Sequence, residues 1–262
     1  MTETQTKKSL FPPVSVKLHT LLFGLLIIGS FIIGSLWTKV RYLEKETGGV
    51  GGGQQAIAGN QAGNNAPAAA QPDAPQKALK KPEVTDADWY KGGKNAKVVL
   101  VEYSDLECPY CKLFHPTMQQ AIKEYGDKIK WVYRHFPLDF HVNAQKEAEA
   151  AECAGKLGGN TKFWQYTDAI FEKTTSNGTG FALDRLVPLA KEIGLNESAF
   201  KSCLDSGEMT QKVKDHIKKG GEEGVSGTPG TIIIDPKGNT QLVPGALPYD
   251  QVKPMIDAAL KS

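Results

Sequence analysis

The sequence predicts an α/β domain with an all-helical insertion, preceded by one transmembrane helix and a flexible linker. Residues 97–103 and 129–134 are apolar, β-branched runs, which are typical of strands buried on both faces of a sheet. Residues 109–125, between them, repeat apolar side chains at helical spacing, so the three elements form a β-α-β unit. The helical pattern that continues from about residue 139 to 222 predicts the insertion.

The domain is expected to close with two strands and a helix. Residues 231–235 and 240–243 flank a Pro-Lys-Gly-Asn turn, which predicts a hairpin. Residues 249–260 again have a helical pattern. The folded domain is therefore predicted to span residues 82–262, in the order β-α-β, helical insertion, β-β-α.

The charge balance excludes a basic surface that binds nucleic acid. The chain has 31 Lys and Arg against 29 Asp and Glu, a net charge of +2, whereas proteins that hold a phosphate backbone carry a marked basic excess. With 40% apolar and 23% charged residues, the chain has the composition of a soluble domain. A protein with many membrane helices is excluded.

One apolar segment near the amino terminus predicts a membrane anchor. Residues 21–37 contain no charge, and the slightly longer segment 18–38 matches the thickness of a bilayer as a helix. A cleaved signal peptide is the alternative, but the small residues of a cleavage site do not follow. We therefore expect residues 1–17 to form a cytoplasmic tail and residues 18–38 a transmembrane signal anchor. Basic residues are equally frequent on both sides, so they do not orient the helix.

Residues 39–81 are predicted to be a juxtamembrane segment and a flexible linker. From residue 47 to 79 the sequence is almost entirely Gly, Ala, Gln, Asn and Pro, which cannot bury enough apolar surface to offset chain entropy. A coil of this length spans about 30 Å. The linker would hold the domain clear of a membrane while keeping it nearby.

Two cysteines three residues apart stand where the first strand meets the first helix. At a helix amino terminus, free backbone N–H groups and the helix dipole stabilise a thiolate. Cys108 is expected to exchange disulfides with other proteins, and Cys111, one turn further in, to resolve the mixed disulfide. Pro109 fits the first helical turn because no hydrogen-bond donor is needed there. A zinc site is the alternative, but no second Cys pair or nearby His pair completes four ligands.

The sequence around these cysteines resembles the DsbA family of thioredoxin-fold thiol oxidases. The resemblance lies in the run EYSDLECPYCKLFHP, from Glu102 to Pro116, and in GVSGTP, from Gly224 to Pro229. It extends over nearly all of residues 82–262, and the helical insertion falls where this family inserts its helical domain. The resemblance implies a thioredoxin-like fold and the introduction of disulfides into proteins outside the cytoplasm.

The resemblance also implies roles for individual residues. Cys108 would be the nucleophile and Cys111 the resolving thiol. Pro229 would follow a cis peptide bond, which sets the backbone of Thr228 against the sulfurs and the substrate chain. Glu102 corresponds to an acid that exchanges a proton with the inner thiol, and the alternative is a strand residue at a solvated edge. No cofactor and no metal are expected.

The dipeptide between the cysteines, Pro109-Tyr110, leaves the direction of electron flow open. Tyr110 stands where the best-known oxidases carry His, and this change should weaken thiolate stabilisation and make the disulfide less oxidising. The alternative functions are a disulfide reductase or isomerase with the same fold, and a tethered binding module whose cysteines are merely structural.

A second pair of cysteines, Cys153 and Cys203, falls in two predicted helices of the insertion. Each lies among apolar residues at helical spacing, so both should face one core. In an oxidising compartment a structural disulfide between them would close a loop of about fifty residues, and some relatives have similar pairs. The alternative is two buried free thiols.

The expected partners follow from the activity that the resemblance implies. They are protein substrates with free cysteines, a membrane-bound redox partner that restores the active-site disulfide, and the cell membrane, through residues 18–38. The expected location is the cell membrane, with a single membrane helix and the catalytic domain on the extracytoplasmic side.

Overall fold

The computed structural model describes residues 79–262, and these residues contain a five-stranded sheet in the order β1-β3-β2-β4-β5. Strands β2 and β3 pair in parallel, whereas the other neighbours pair antiparallel. The strand bounds are β1 Trp89–Gly92, β2 Val98–Ser104, β3 Ile129–His135, β4 Gly230–Ile234 and β5 Thr240–Pro244.

Six α-helices accompany the described sheet, together with two short 3₁₀ turns. The first helix joins the two parallel strands, the next four make up the insertion, and the last one ends the chain. Their bounds are α1 Pro109–Tyr125, α2 Ala144–Lys173, α3 Leu186–Glu192, α4 Glu197–Ser206, α5 Thr210–Glu223 and α6 Tyr249–Lys261.

The predicted α/β domain with an all-helical insertion is confirmed, with one additional strand. β1 is a four-residue edge strand that pairs with β3. The sequence reading missed it because Trp89–Gly92 is short and only half buried, so it has no apolar alternation. The insertion has its first helical residue at Ala144 and its last at Glu223.

The predicted membrane helix, residues 18–38, lies outside the described residues, as do residues 1–17 and most of the linker. Within residues 79–262, no helix combines the length and the apolar character needed to cross a membrane.

Two apolar cores lie on the two faces of the sheet. The larger core packs α1, α6 and the insertion helices α2, α3 and α4 against the face that contains Leu100 and Trp131. The smaller core, around Val101 and Ile232, lies on the opposite face. β2 is therefore buried on both sides, which fixes the position of its carboxyl end, where the redox motif begins.

A disulfide bond joins Cys153 of α2 to Cys203 of α4, and both residues are buried. Helix α4 begins directly after Asn196, whose side chain accepts a hydrogen bond from the Ala199 amide at 2.8 Å. The disulfide joins cysteines that are 50 positions apart in sequence, on two helices that pack in the same core.

We expect the double substitution Cys153→Ala/Cys203→Ala to lower the free energy of unfolding by about 4 kcal/mol, because it frees a loop of about fifty residues in the unfolded chain. Urea denaturation measures this. The matched control is a Cys108→Ser/Cys111→Ser chain, whose only disulfide is the structural one, compared with and without reductant. Unchanged stability in both comparisons would show that the bond does not stabilise the domain.

Candidate active site

The redox motif begins at Cys108, and three residues separate it from the end of β2 at Ser104. Cys108 is the N-cap residue of α1, with extended backbone angles, and Pro109 occupies the first turn. Cys111 lies one turn inside the helix and is fully buried, whereas Cys108 is 3% exposed. Both are free thiols in this structure. The buried strand and the helix start therefore place the Cys108 sulfur just below the protein surface and the Cys111 sulfur deeper in the core.

The two thiols have opposite acidities. The hydrogen bond from the Cys111 side chain, aided by the Thr228 side chain and by the backbone N–H groups of Cys111 and Tyr110, lowers the pKa of Cys108 to about 6 from 9.0, although burial opposes the shift. Burial, together with the neighbouring Cys108 sulfur, raises the pKa of Cys111 well above its ordinary value. At neutral pH, Cys108 is therefore a thiolate and Cys111 a thiol.

The loop before β4 lies against the outer sulfur. The Thr228–Pro229 peptide bond is cis, and the Cys108 sulfur lies 3.5 Å from the Thr228 carbonyl oxygen, to which a protonated Cys108 can donate. The Thr228 hydroxyl is buried and has no partner among the described residues, so it is free to donate to a thiolate. The antiparallel pairing of Gly230 with Tyr103 of β2 brings this loop to the motif.

Glu102 is fully buried in the central strand, not at a solvated edge. Burial raises its pKa to about 7, although hydrogen bonds from Ser104 and from the Trp131 indole act against the shift. The indole nitrogen donates to Glu102 Oε2 at 2.8 Å. The Ser104 side chain affects the pKa values of both Glu102 and Cys111, so it lies close to the carboxyl group and to the inner thiol. Sequence reasoning found Glu102 but missed Ser104 and Trp131.

Two further acids before the motif hold the loops that flank it. Asp105 accepts hydrogen bonds from the Leu138 amide at 2.8 Å and from His141 Nδ1 at 2.7 Å. Glu107 accepts from the amides of Gly180 and Phe181, at 2.7 and 2.8 Å. The sequence analysis gave these acids no role. The signal that was present is a pair of acids, Asp105 and Glu107, in the three residues directly before Cys108.

Two further α1 residues, His115 and Lys112, contact the protein rather than projecting freely into solvent. His115 is buried against Phe171 and Trp131, and its Nε2 lies 2.8 Å from Asp168. The Lys112 ammonium group donates to the backbone carbonyl of Thr174, just after α2 ends. Neither acts as a free positive charge near Cys108.

Exposed apolar side chains occur on α1 beside the cysteines and in the loop after β3, which Asp105 binds through His141. Four large hydrophobic side chains near the motif are between 58% and 76% exposed. Two are on the first turns of α1, and two flank His141 in the loop after β3. They are Tyr110, Leu113, Phe140 and Val142.

The site brings together Cys108, Cys111, Thr228 and Pro229, with Glu102 behind the inner thiol. A thiolate held next to a protonated thiol can attack a disulfide, or can leave when the Cys108–Cys111 disulfide is attacked. Within residues 79–262, no group of three or more His, Cys, Asp and Glu side chains is arranged to hold a metal ion.

Comparison with known proteins agrees with this chemistry. The family model described as Thioredoxin matches residues 85–258. The Na(+)/H(+) antiporter NhaA 1 of Salinispora arenicola is 33% identical over 145 residues, which are 55% of this chain and 21% of the antiporter. The chain thus spans about a fifth of the length of the curated relatives that it matches.

Solved structures with the same fold include a DsbA protein. DsbA2 of Pseudomonas aeruginosa is 28% identical, with a TM-score of 0.57 over 67% of this chain and 96% of that chain. Oxidised BdbD of Bacillus subtilis is 23% identical, with a TM-score of 0.59 over 71% of this chain and 98% of that one, and shows the likeness of fold alone.

A free thiol pair at a helix start, beside a cis-proline loop, is thus found in a chain whose fold matches known disulfide-exchange proteins. The chain belongs to the thioredoxin family and is a protein thiol-disulfide oxidoreductase similar to the DsbA proteins.

Proposed function

We propose that this oxidoreductase is an extracytoplasmic oxidase, which introduces disulfides into secreted or surface proteins through Cys108 and Cys111. The observation that carries the proposal is the difference in acidity between the two sulfurs. Interactions that stabilise the Cys108 thiolate stabilise the reduced form of the centre, and a stabilised reduced form makes the disulfide more oxidising.

Oxidation of a substrate takes two thiol-disulfide exchange steps. A substrate thiolate attacks Cys108 Sγ, the Cys108–Cys111 bond breaks, and Cys111 leaves as a thiolate that takes up a proton. A second substrate thiolate then attacks the substrate sulfur of the mixed disulfide and releases Cys108 as a thiolate. The substrate is oxidised by two electrons, and the membrane-bound redox partner proposed here must remove them to restore the disulfide.

The proposed location rests on two observations. The disulfide between Cys153 and Cys203 favours an oxidising compartment, because cytosolic reductants make structural disulfides rare. Residues 18–38 would anchor the chain, and a region of 145 residues in this chain is similar to part of a protein named as a Na(+)/H(+) antiporter, which is a membrane protein. We therefore propose a single-pass protein with its catalytic domain on the extracytoplasmic side.

The proposed substrate class is unfolded or partly folded polypeptide with free cysteines. The side chains of Tyr110, Leu113, Phe140 and Val142 are exposed, the first two on α1 beside the cysteines and the other two in the loop bound to Asp105, and we propose that together they form the substrate-binding surface. Such surfaces on soluble domains are typical of interaction sites. A chain that has not yet buried its apolar residues can cover this surface while its thiols reach Cys108.

One observation favours a reductase or isomerase as the second candidate. The groups that lower the pKa of Cys108 are all uncharged, and Tyr110 supplies no cation between the cysteines. A thiolate with a pKa of about 6 rather than 9.0 favours the reduced form by about 1.4 kcal/mol at neutral pH, which is about 30 mV. Cys108 therefore accounts for only part of an oxidising potential.

The reduction potential of the purified chain decides between these candidates. We expect a value above about −220 mV, on the oxidising side of the cytosolic glutathione pool, measured by equilibration with glutathione buffers and alkylation of the free thiols. The Cys108→Ser chain is the control, since it cannot form the bond. A reduction potential below about −220 mV would contradict the oxidase and support the reductase.

Glu102 is proposed to supply the proton that Cys111 takes up when it leaves. Its carboxyl group is fully buried, its pKa of about 7 keeps it partly protonated at neutral pH, and Ser104 lies close to both Glu102 and Cys111. A carboxylate in this place would disfavour a second negative charge on Cys111. Protonated Glu102 therefore favours the leaving of Cys111.

We expect Glu102→Gln, which keeps the size of the side chain, to slow dithiol oxidation by about tenfold or more at pH 6, where wild-type Glu102 is protonated. The ratio of wild-type to variant rates should fall as the pH rises through about 7. Because folded Glu102 keeps a proton that the unfolded chain loses near pH 4.5, the wild type should also lose stability relative to the variant between pH 4.5 and about 7. A rate ratio independent of pH would remove Glu102 from the proton transfer.

A further inference from the structure

One loop donates hydrogen bonds to both the side chain and the backbone carbonyl of Glu107, the residue directly before the nucleophile. This loop, residues 174–181, connects α2 to the rest of the insertion. The Glu107 carboxyl group accepts hydrogen bonds from the Thr174 hydroxyl at 3.2 Å and from the amides of Gly180 and Phe181. Its backbone carbonyl accepts a fourth hydrogen bond, from the Asn177 amide, at 2.8 Å.

The same loop is also held from the other side of the redox motif. The Lys112 ammonium group donates to the carbonyl of Thr174 and, at 3.5 Å, to that of Glu172. Glu107 precedes the two cysteines and Lys112 follows them, so the 174–181 loop is hydrogen-bonded to the motif on both sides of the cysteine pair. Ser176 and Asn177 have positive φ angles of 64° and 65°, a conformation that non-glycine residues adopt only when their surroundings impose it.

A second carboxyl group lies against Glu107 with no donor to satisfy it. Glu147, in the first turn of α2, is fully buried, and neither of its carboxyl oxygens has a hydrogen-bond donor among the described residues. Its carboxyl group lies close enough to that of Glu107 for the two groups to interact. Two carboxylates can only accept hydrogen bonds, so this contact requires a proton between them.

We propose that Glu107 and Glu147 share one proton, and that this shared proton fastens the 174–181 loop to the residue before Cys108, which makes both acids positioning residues of the redox motif. Glu147 is the group that keeps the proton, because Glu107 is already saturated with donors while Glu147 has none.

The charges around Glu147 agree with this assignment. Burial, followed by the nearby Glu107 and Asp105, raises the pKa of Glu147 to about 10. On the other elements that pack here, His141 is bound to Asp105, and the Tyr166 hydroxyl donates to the carbonyl of Leu186. None of these residues is hydrogen-bonded to Glu147, so among the described residues Glu107 is the acceptor that we assign to its proton.

The shared proton is tested first by its linkage to folding in the full-length chain. Glu147→Gln keeps the shape and can donate an N–H to Glu107, but it has no proton to lose. The wild type must release the Glu147 proton on unfolding, so its unfolding equilibrium constant should rise relative to the variant by about tenfold per pH unit between pH 6 and 9. Glu102 and the cysteines contribute equally to both chains. Parallel pH profiles would overturn the proposal.

The positioning role is tested by a matched variant that cannot donate. In Glu147→Leu the 174–181 loop should be cut by protease at least about fivefold faster than in the wild type, and the pH midpoint of Cys108 alkylation should move. Glu147→Gln should match the wild type at pH 7 in both measurements. Equal behaviour of the Gln and Leu variants would overturn the role, and if the Leu variant does not fold, the linkage result for Glu147→Gln alone decides.

The proposal rests on the proposed function only in naming Cys108 as the reacting group. Proton release and loop proteolysis do not depend on redox activity, so a chain that fails as an oxidase can still pass both tests. Conversely, an oxidising potential together with parallel pH profiles would retain the function and reject the shared proton.

Discussion

The hydrogen bond from the Cys111 thiol to the Cys108 sulfur is the interaction on which the rest of the site depends. It requires one sulfur to be protonated and the other ionised, and the fold enforces this difference by burying Cys111 completely while placing Cys108 at the first turn of α1. β2, buried on both faces, fixes where that helix can start. The cis-proline loop before β4 then closes over the outer sulfur.

Three acids in the six residues before Cys108 share the surroundings of this pair without supplying a partner cation. Glu102 is partly protonated behind Cys111, Asp105 is paired with His141, and Glu107 is surrounded by donors from the 174–181 loop. Each acid is thus satisfied locally or kept neutral, which leaves the Cys108 thiolate to be stabilised by uncharged donors. These buried carboxyl groups need hydrogen-bond donors, and the helical insertion supplies some of them, as the amides of Gly180 and Phe181 do for Glu107. The insertion therefore also supports the redox centre.

The elements that carry a strong local pattern could be predicted from the sequence. The apolar β-branched run of β2, the helical spacing of α1 and the Asn196 cap of α4 each follow from residues close in sequence. β1 could not be predicted, since it is held by its pairing with β3 and by tertiary contacts of Trp89 rather than by any pattern of its own. The Glu107–Glu147 contact joins residues 40 positions apart, and the burial of His115 depends on α2. Neither leaves a signal in a single sequence.

The account is tested most directly by the ultraviolet absorbance of the thiolate, followed against pH in the reduced chain. The Cys108→Ser chain provides the baseline, because it lacks only the sulfur in question. We predict that the wild type gains one thiolate with a midpoint near pH 6, and that the variant shows no such step. A first thiolate that appears only near pH 9, as in an ordinary cysteine, would contradict the account.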